Sequence, residues 1–277
     1  MEKVNYVSRI YYKGGNMKIK FIFLFLFIIF TIVFIYIPKS DHNIKIAVID
    51  SGIDVNHVDV SVIKRFDNKQ TVMDSFGHGS AIAEIINKNN ENIDFYDGNI
   101  LDENGNTSVE TLIKALDWCI ENKVNLINMS FGLSENNVKL KKKIDEVVSH
   151  NILIIAAAGN KFGLKSDYPA RYNNVISISA VDSKNKIYKF AAKGKIDFVS
   201  LGVDVETVKI KKLAEVKVLS GTSFATANAT GYISKLIPDD FSLPFKDILH
   251  RLKQKTQTLN NDERDSTYGY GLLLNKN

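Results

Sequence analysis

Five short β-rich runs, several of them nearly continuous in apolar residues, alternate with stretches whose apolar residues recur at helical spacing, and this alternation constrains the chain most. The runs are Ile44–Asp50, Ile93–Leu101, Val124–Met129, Ile152–Ala157 and Val175–Ala180. A strand that is apolar along its whole length is buried on both faces, as in a parallel sheet covered by helices on each side. Between the runs, Thr107 and Glu110 stand in capping-box spacing and predict a helix reaching to about Glu121. Its apolar face carries Val109, Leu112, Ile113, Leu116 and Cys119. A second helix is expected over Asn137–Ser149, with Leu140, Ile144, Val147 and Val148 inward and Lys141–Lys143 on the solvated face. This alternation predicts one open α/β sheet with right-handed crossovers, without repeats or a second domain. Ligands of such sheets bind outside the carboxyl ends of the strands, so a site is sought there.

Charge excludes one class of function. The chain carries 36 basic and 31 acidic side chains, a net of +5. Six of the basic and two of the acidic residues fall within the first 43 positions, which leaves a net of +1 for the rest. The excess therefore belongs to the N-terminus and does not describe a nucleic-acid-binding surface. The single cysteine, Cys119, excludes an intrachain disulfide framework and a cysteine zinc site, and its helical neighbours place it in the core.

Phe21 to Ile37 is an apolar run of 17 residues broken only by Thr31. As a helix it reaches about 26 Å, close to the hydrocarbon thickness of a bilayer. Basic residues precede it, which keeps residues 1–20 in the cytoplasm and sends the rest of the chain outside. The exit through Tyr36-Ile37-Pro38-Lys39-Ser40 offers no small-residue cleavage site. The expectation is an uncleaved, single-pass anchor in a bacterial cell membrane, with a cleaved and secreted chain as the alternative. Met17-Lys18-Ile19-Lys20 is itself a natural start for such a segment, in which case residues 1–16 are not translated. Only a linker, residues 38–43, separates the span from the first strand.

Three short motifs end strands or open helices. Ala47-Val48-Ile49-Asp50-Ser51-Gly52 puts an acid at the carboxyl end of the first strand, where it could be structural, a metal ligand or a catalytic orienter. Gly77-His78-Gly79-Ser80 leads into the apolar helix Ala81–Ile86, its paired glycines allowing close approach to the histidine. Gly221-Thr222-Ser223-Phe224-Ala225-Thr226 opens a helix to about Leu236; a serine there is ordinarily a cap. Each motif alone has a bland explanation. Together they stand in the chain order Asp, His, Ser.

In that order the segments resemble the subtilisin-like serine proteases, the subtilases. The resemblance covers roughly residues 44–274 and includes Ile127-Asn128-Met129-Ser130-Phe131-Gly132, Ala157-Ala158-Gly159-Asn160, Tyr168-Pro169-Ala170 and Gly269-Tyr270-Gly271-Leu272. It implies a subtilisin-like three-layer α/β fold with a mostly parallel sheet, here preceded by one transmembrane helix. The domain would occupy residues 44–277 and act as a serine endopeptidase. It implies Ser223 as nucleophile, His78 as general base and Asp50 as the group that orients the imidazole. Asn160 matches the family's oxyanion donor, Ser130-Phe131-Gly132 the strand that pairs with substrate, and Pro169 a position that is often cis. The implied partner is a peptide or protein substrate, met by a monomer. No cofactor is implied. No calcium loop is evident, although a structural calcium ion stays open.

Some residues depart from the pattern. Ala227 stands where proline is usual, and Ser80-Ala81 where Thr-His is usual. The propeptide of domain size that secreted members carry has no counterpart between residues 37 and 44. His57 and Asp54 lie in a turn like the family's and read as structural, and His42, His150 and His250 have no motif around them. Asp167 replaces a residue that is commonly small near the bottom of the primary specificity pocket. A carboxylate there favours Arg or Lys before the scissile bond; pointing outward, it is only a loop aspartate. The reading from sequence is a membrane-tethered endopeptidase that processes an exported peptide. Its rival is a catalytically inactive subtilase fold that binds peptides at the membrane.

Overall fold

The structure is a computed structural model that describes residues 43–66, 74, 76–207, 217–236, 241, 243–259 and 264–273. The anchor expected at 21–37 and the segment before it lie outside the described residues. Among the described residues, no helix is long and apolar enough to cross a membrane.

The element order begins β1 (Ile44–Asp50), β2 (Val62–Arg65), α1 (His78–Asn89), β3 (Ile93–Asn99), α2 (Val109–Glu121), β4 (Leu126–Met129), α3 (Val138–Ser149) and β5 (Leu153–Ala157). It continues with β6 (Ile176–Val181), β7 (Phe198–Leu201), β8 (Val205–Thr207), β9 (Lys217–Leu219), α4 (Thr222–Leu236) and α5 (Phe245–Gln254). Seven strands form one sheet in the order β2-β3-β1-β4-β5-β6-β7, and every adjacent pair is parallel. A small antiparallel pair, β8 and β9, stands apart from it.

The apolar runs become the central strands for the reason the sequence suggests: both faces are covered. Ile46 and Val48 of β1 join a core on one face with Ile82 and Ile86 of α1 and Ala229 and Ile233 of α4. Ala47 and Ile49 join a core on the other face with Leu112, Leu116 and Cys119 of α2 and Leu140 and Ile144 of α3. Cys119 is fully buried, and burial pushes its thiol pKa far up, so it is an inert core residue.

One capping expectation is corrected. The cap of α2 is Ser108, whose side chain accepts from the Thr111 amide at 3.0 Å, while the Thr107 hydroxyl is buried without a partner. The Thr107–Glu110 spacing is one residue out of register with the helix that forms. The helix expected over Asn137–Ser149 forms as α3, with Asn137 outside its first turn as the cap, accepting from the Leu140 amide at 3.1 Å.

Strand order reverses beside β1. From β1 the chain proceeds to β2 and β3 on one side, then returns to β4 and moves outward on the other. The carboxyl ends of β1 and β4 therefore diverge into different connections and leave a crevice between them. Asp50 ends β1, and Ser130 follows β4 directly.

Candidate active site

Asp50 is fully buried at the end of β1. Its Oδ1 accepts from the Ser51 amide at 2.8 Å and faces His78 Nδ1 at 2.8 Å, while Oδ2 is buried without a partner. A carboxylate can only accept, so Nδ1 carries the proton and Nε2 keeps its lone pair. The imidazole tautomer is thereby fixed as that of a base. His78 is the first residue of α1 and is held against β1 by a close backbone contact. A Cβ on Gly79 would lie 2.3 Å from the Gly52 carbonyl oxygen, so only glycine lets α1 start this close to the Asp50 turn.

A second carboxylate, Asp74, braces the same turn. It accepts from the amides of Gly77 (2.7 Å) and Ser80 (2.8 Å) at the start of α1, and from the Ser51 hydroxyl at 2.8 Å. The Ser51 hydroxyl accepts in turn from the Gly79 amide at 2.9 Å. The pKa of His78 reflects this setting. Burial by itself lowers it, but the charge and hydrogen bond of Asp50, with the charge of Asp74, leave it raised above 6.5. Sequence reasoning assigned Asp74 no role; an acid four residues ahead of a helix-opening histidine was the available signal.

Ser223 is the second residue of α4, and the ring of its neighbour Phe224 lies 5.7 Å from that of His78. The exposed Phe76 ring lies at 5.8 Å from the imidazole. The Ser223 hydroxyl donates to the Ser130 carbonyl at 2.7 Å, not to His78. Ser130 Oγ in turn lies 2.9 Å from the Asn128 amide oxygen and 3.1 Å from the Ser223 carbonyl, tying the end of β4 to the start of α4. Among the described residues, no hydrogen bond engages the backbones of Phe131 and Gly132, which leaves this edge open to an extended peptide.

Asn160 follows β5, and Thr222 decides which way its amide faces. Asn160 Oδ1 accepts from the Thr222 amide (3.1 Å) and the Thr222 hydroxyl (3.2 Å), and that hydroxyl accepts from the Gly159 amide at 3.2 Å. With the oxygen engaged twice, Nδ2 is the free end and lies beside Gly221, where a Cβ would sit 3.2 Å from it. An N–H donor beside the start of a helix suits a developing negative charge.

Asp167 is clasped by the segments that carry Ser130 and Asn160. Its amide donates to the Ala158 carbonyl at 2.8 Å, and Tyr168 exchanges two backbone hydrogen bonds with Leu133 at 2.7 and 2.9 Å. The side chain, with 10% of its surface exposed, fills the space between Gly132 and Gly159. A Cβ on Gly132 would lie 2.5 Å from Asp167 Cβ, and one on Gly159 2.4 Å from Asp167 Oδ2. It does not point out from a loop. The Tyr168–Pro169 bond is cis.

The structure thus brings Asp50, His78, Asn160, Ser223, Ser130, Phe131, Gly132 and Asp167 to one end of the sheet. Asp54 and His57 stay with each other, 2.8 Å apart, in the turn after β1. Among the described residues, no three His, Cys, Asp or Glu side chains converge to hold a metal ion.

The sequence profile of the Subtilase family matches residues 41–271. Minor extracellular protease Epr of Bacillus subtilis is 30% identical over 248 residues, covering 84% of this chain and 38% of that protein. Subtilisin of Bacillus pumilus is 30% identical over 249 residues, covering 83% of this chain and 89% of the relative. Subtilisin E of Bacillus subtilis has the same identity, but the match spans 64% of its length. This chain thus spans under two thirds of the length of several relatives. Among solved structures, a lanthipeptide protease superposes with a TM-score of 0.74 at 23% identity, covering 83% of this chain and 85% of that one. A cold adapted subtilisin-like serine proteinase gives 0.74 at 21%, covering 85% and 90%.

Proposed function

The chain belongs to the subtilase family, and from that premise we propose that it is a serine endopeptidase that forms an acyl-enzyme on Ser223. The observation that carries this reading is the pairing of a tautomer-fixed His78 with an Asn160 amide whose donor end is free. A protein that only binds peptides needs neither.

In the reaction, a substrate strand pairs with Ser130, Phe131 and Gly132. The Ser223 hydroxyl leaves the Ser130 carbonyl and turns to His78 Nε2, which takes its proton as Oγ bonds to the scissile carbonyl carbon. The carbonyl oxygen gains the electron pair of the broken π-bond and is met by Asn160 Nδ2 and the positive end of α4. The tetrahedral adduct collapses, the C–N bond breaks, and the departing amine takes the proton from His78. Water, activated by His78, then releases the acyl group. Asp50 holds the imidazolium through both halves. Catalysis in this family needs no cofactor; a structural calcium ion is not part of the proposal.

Asp167, between Gly132 and Gly159, gives the pocket beside Ser223 an anionic floor and favours Arg or Lys before the scissile bond. We place the domain outside a bacterial cell membrane, held as a monomer by residues 21–37; release by cleavage is the alternative. Tethering and a basic preference both restrict which bonds are reached. They suit limited processing of an exported precursor, such as a bacteriocin or signalling peptide, and the lanthipeptide protease sharing this fold is named for one such class.

A second reading has one observation in its favour. The Ser223 hydroxyl bonds to Ser130 and not to the base, an arrangement that a fold which only binds peptides would tolerate. Mass spectrometry of peptides incubated with the full-length chain in detergent separates the two. The enzyme reading expects discrete cleavage that falls by at least about 10⁴-fold in Ser223→Ala and His78→Ala. Peptide binding by the folded wild type without cleavage would favour the binding protein.

A further inference from the structure

The Asp167 carboxylate already has a cation. Lys161, directly after Asn160, places Nζ 2.8 Å from Asp167 Oδ1, and the same ammonium donates to the Ser134 hydroxyl at 2.6 Å. The contact with Asp167 is ionic only: Oδ1 is buried and receives no aligned hydrogen bond. Oδ2 lies against Gly159, where a Cβ would sit 2.4 Å from it, and no hydrogen bond among the described residues engages it. Asp167 is therefore electrically compensated but not saturated. Its partner is a strongly hydrated head on a flexible stem, about a third exposed and with a second acceptor within reach.

We propose that Lys161 is a resident counter-ion which a basic substrate side chain displaces. This rests on the reading that Asp167 faces the residue before the scissile bond. With the pocket empty, Lys161 balances the buried carboxylate and spares it the penalty of an unpaired charge. When a guanidinium or ammonium enters, Lys161 retreats to Ser134 and water, and the incoming group makes the aligned hydrogen bonds that Lys161 does not. Recognition of a basic residue is thus an exchange of one cation for another. Lys161 lowers the affinity for basic residues and makes the pocket tolerant of neutral ones.

The test uses benzamidine as the cation and the full-length chain carrying Ser223→Ala, so that no chemistry is needed. Calorimetry is compared for Lys, Gln and Arg at position 161, with Asp or Asn at 167. Lys161→Gln should raise affinity about ten-fold, the scale of one partly shielded charge interaction. Lys161→Arg, whose fork fits the carboxylate better, should lower it. Asp167→Asn should weaken binding and erase the gain from Lys161→Gln. Equal or weaker binding by Lys161→Gln, or a gain that survives Asp167→Asn, would overturn the exchange. Binding indifferent to Asp167→Asn alone would overturn the anionic pocket with it. A protein that shows the Gln, Lys, Arg ordering yet cleaves no peptide when Ser223 is restored would sink the peptidase reading and leave the exchange standing.

Discussion

Thr222 turns an ordinary asparagine into a directed donor. Because its amide and hydroxyl both hold Asn160 Oδ1, Nδ2 needs no reorganisation when charge develops. Asn160→Ala should lower kcat by about 10²–10³-fold with little change in KM, measured on one peptide substrate. His78 gives a second prediction. A base must be neutral, and its pKa is raised above 6.5, so the acid limb of kcat/KM should lie above pH 6.5. Asp74 favours the protonated ring. Asp74→Asn should therefore shift that limb to lower pH, and a limb that stays or moves up would contradict the assignment. At this scale the motifs, through their resemblance to the subtilases, singled out Asp50, His78, Asn160 and Ser223, and the structure gathers these residues at one end of the sheet. Asp74, Thr222 and Lys161 were not assigned roles. Their roles exist only through neighbours brought in by folding, such as Ser51, Asn160 and Asp167.

Secondary-structure elements were legible in proportion to their burial. The fully buried β5 and β6 lie within one residue at each end of the runs that predicted them. The edge strand β2, Val62-Ile63-Lys64-Arg65, is half solvated and has no apolar run to betray it. The helix α5 was not assigned, although Phe245, Ile248, Leu249 and Leu252 recur at i, i+3, i+4 and i+7 and were the available signal; the three-residue strands β8 and β9 are too short for any pattern. The start of α2 was legible as a cap but misplaced by one residue, and mutation checks the correction. Ser108→Ala should cost about 1 kcal/mol in urea unfolding. Thr107→Val should be neutral or stabilising, because its buried hydroxyl has no partner to lose. A large loss at Thr107 instead would restore the capping box.

At the scale of the molecule, the parallel sheet explains why residues as far apart as Asp50, Asn160 and Ser223 meet. All seven strands run the same way, so the segments leaving their carboxyl ends gather on one side, and the order reversal beside β1 opens the crevice there. The anchor proposed at residues 21–37 belongs to this scale too. The chain should stay in the membrane pellet through a carbonate wash, as an uncleaved span requires; recovery in the supernatant would favour the secreted form. The central claim is that Ser223 is an activated nucleophile, and a fluorophosphonate probe reads that directly. The full-length wild type should be labelled covalently, with Ser223→Ala unlabelled and His78→Ala labelled far more slowly. A folded wild type that the probe does not modify would contradict the account.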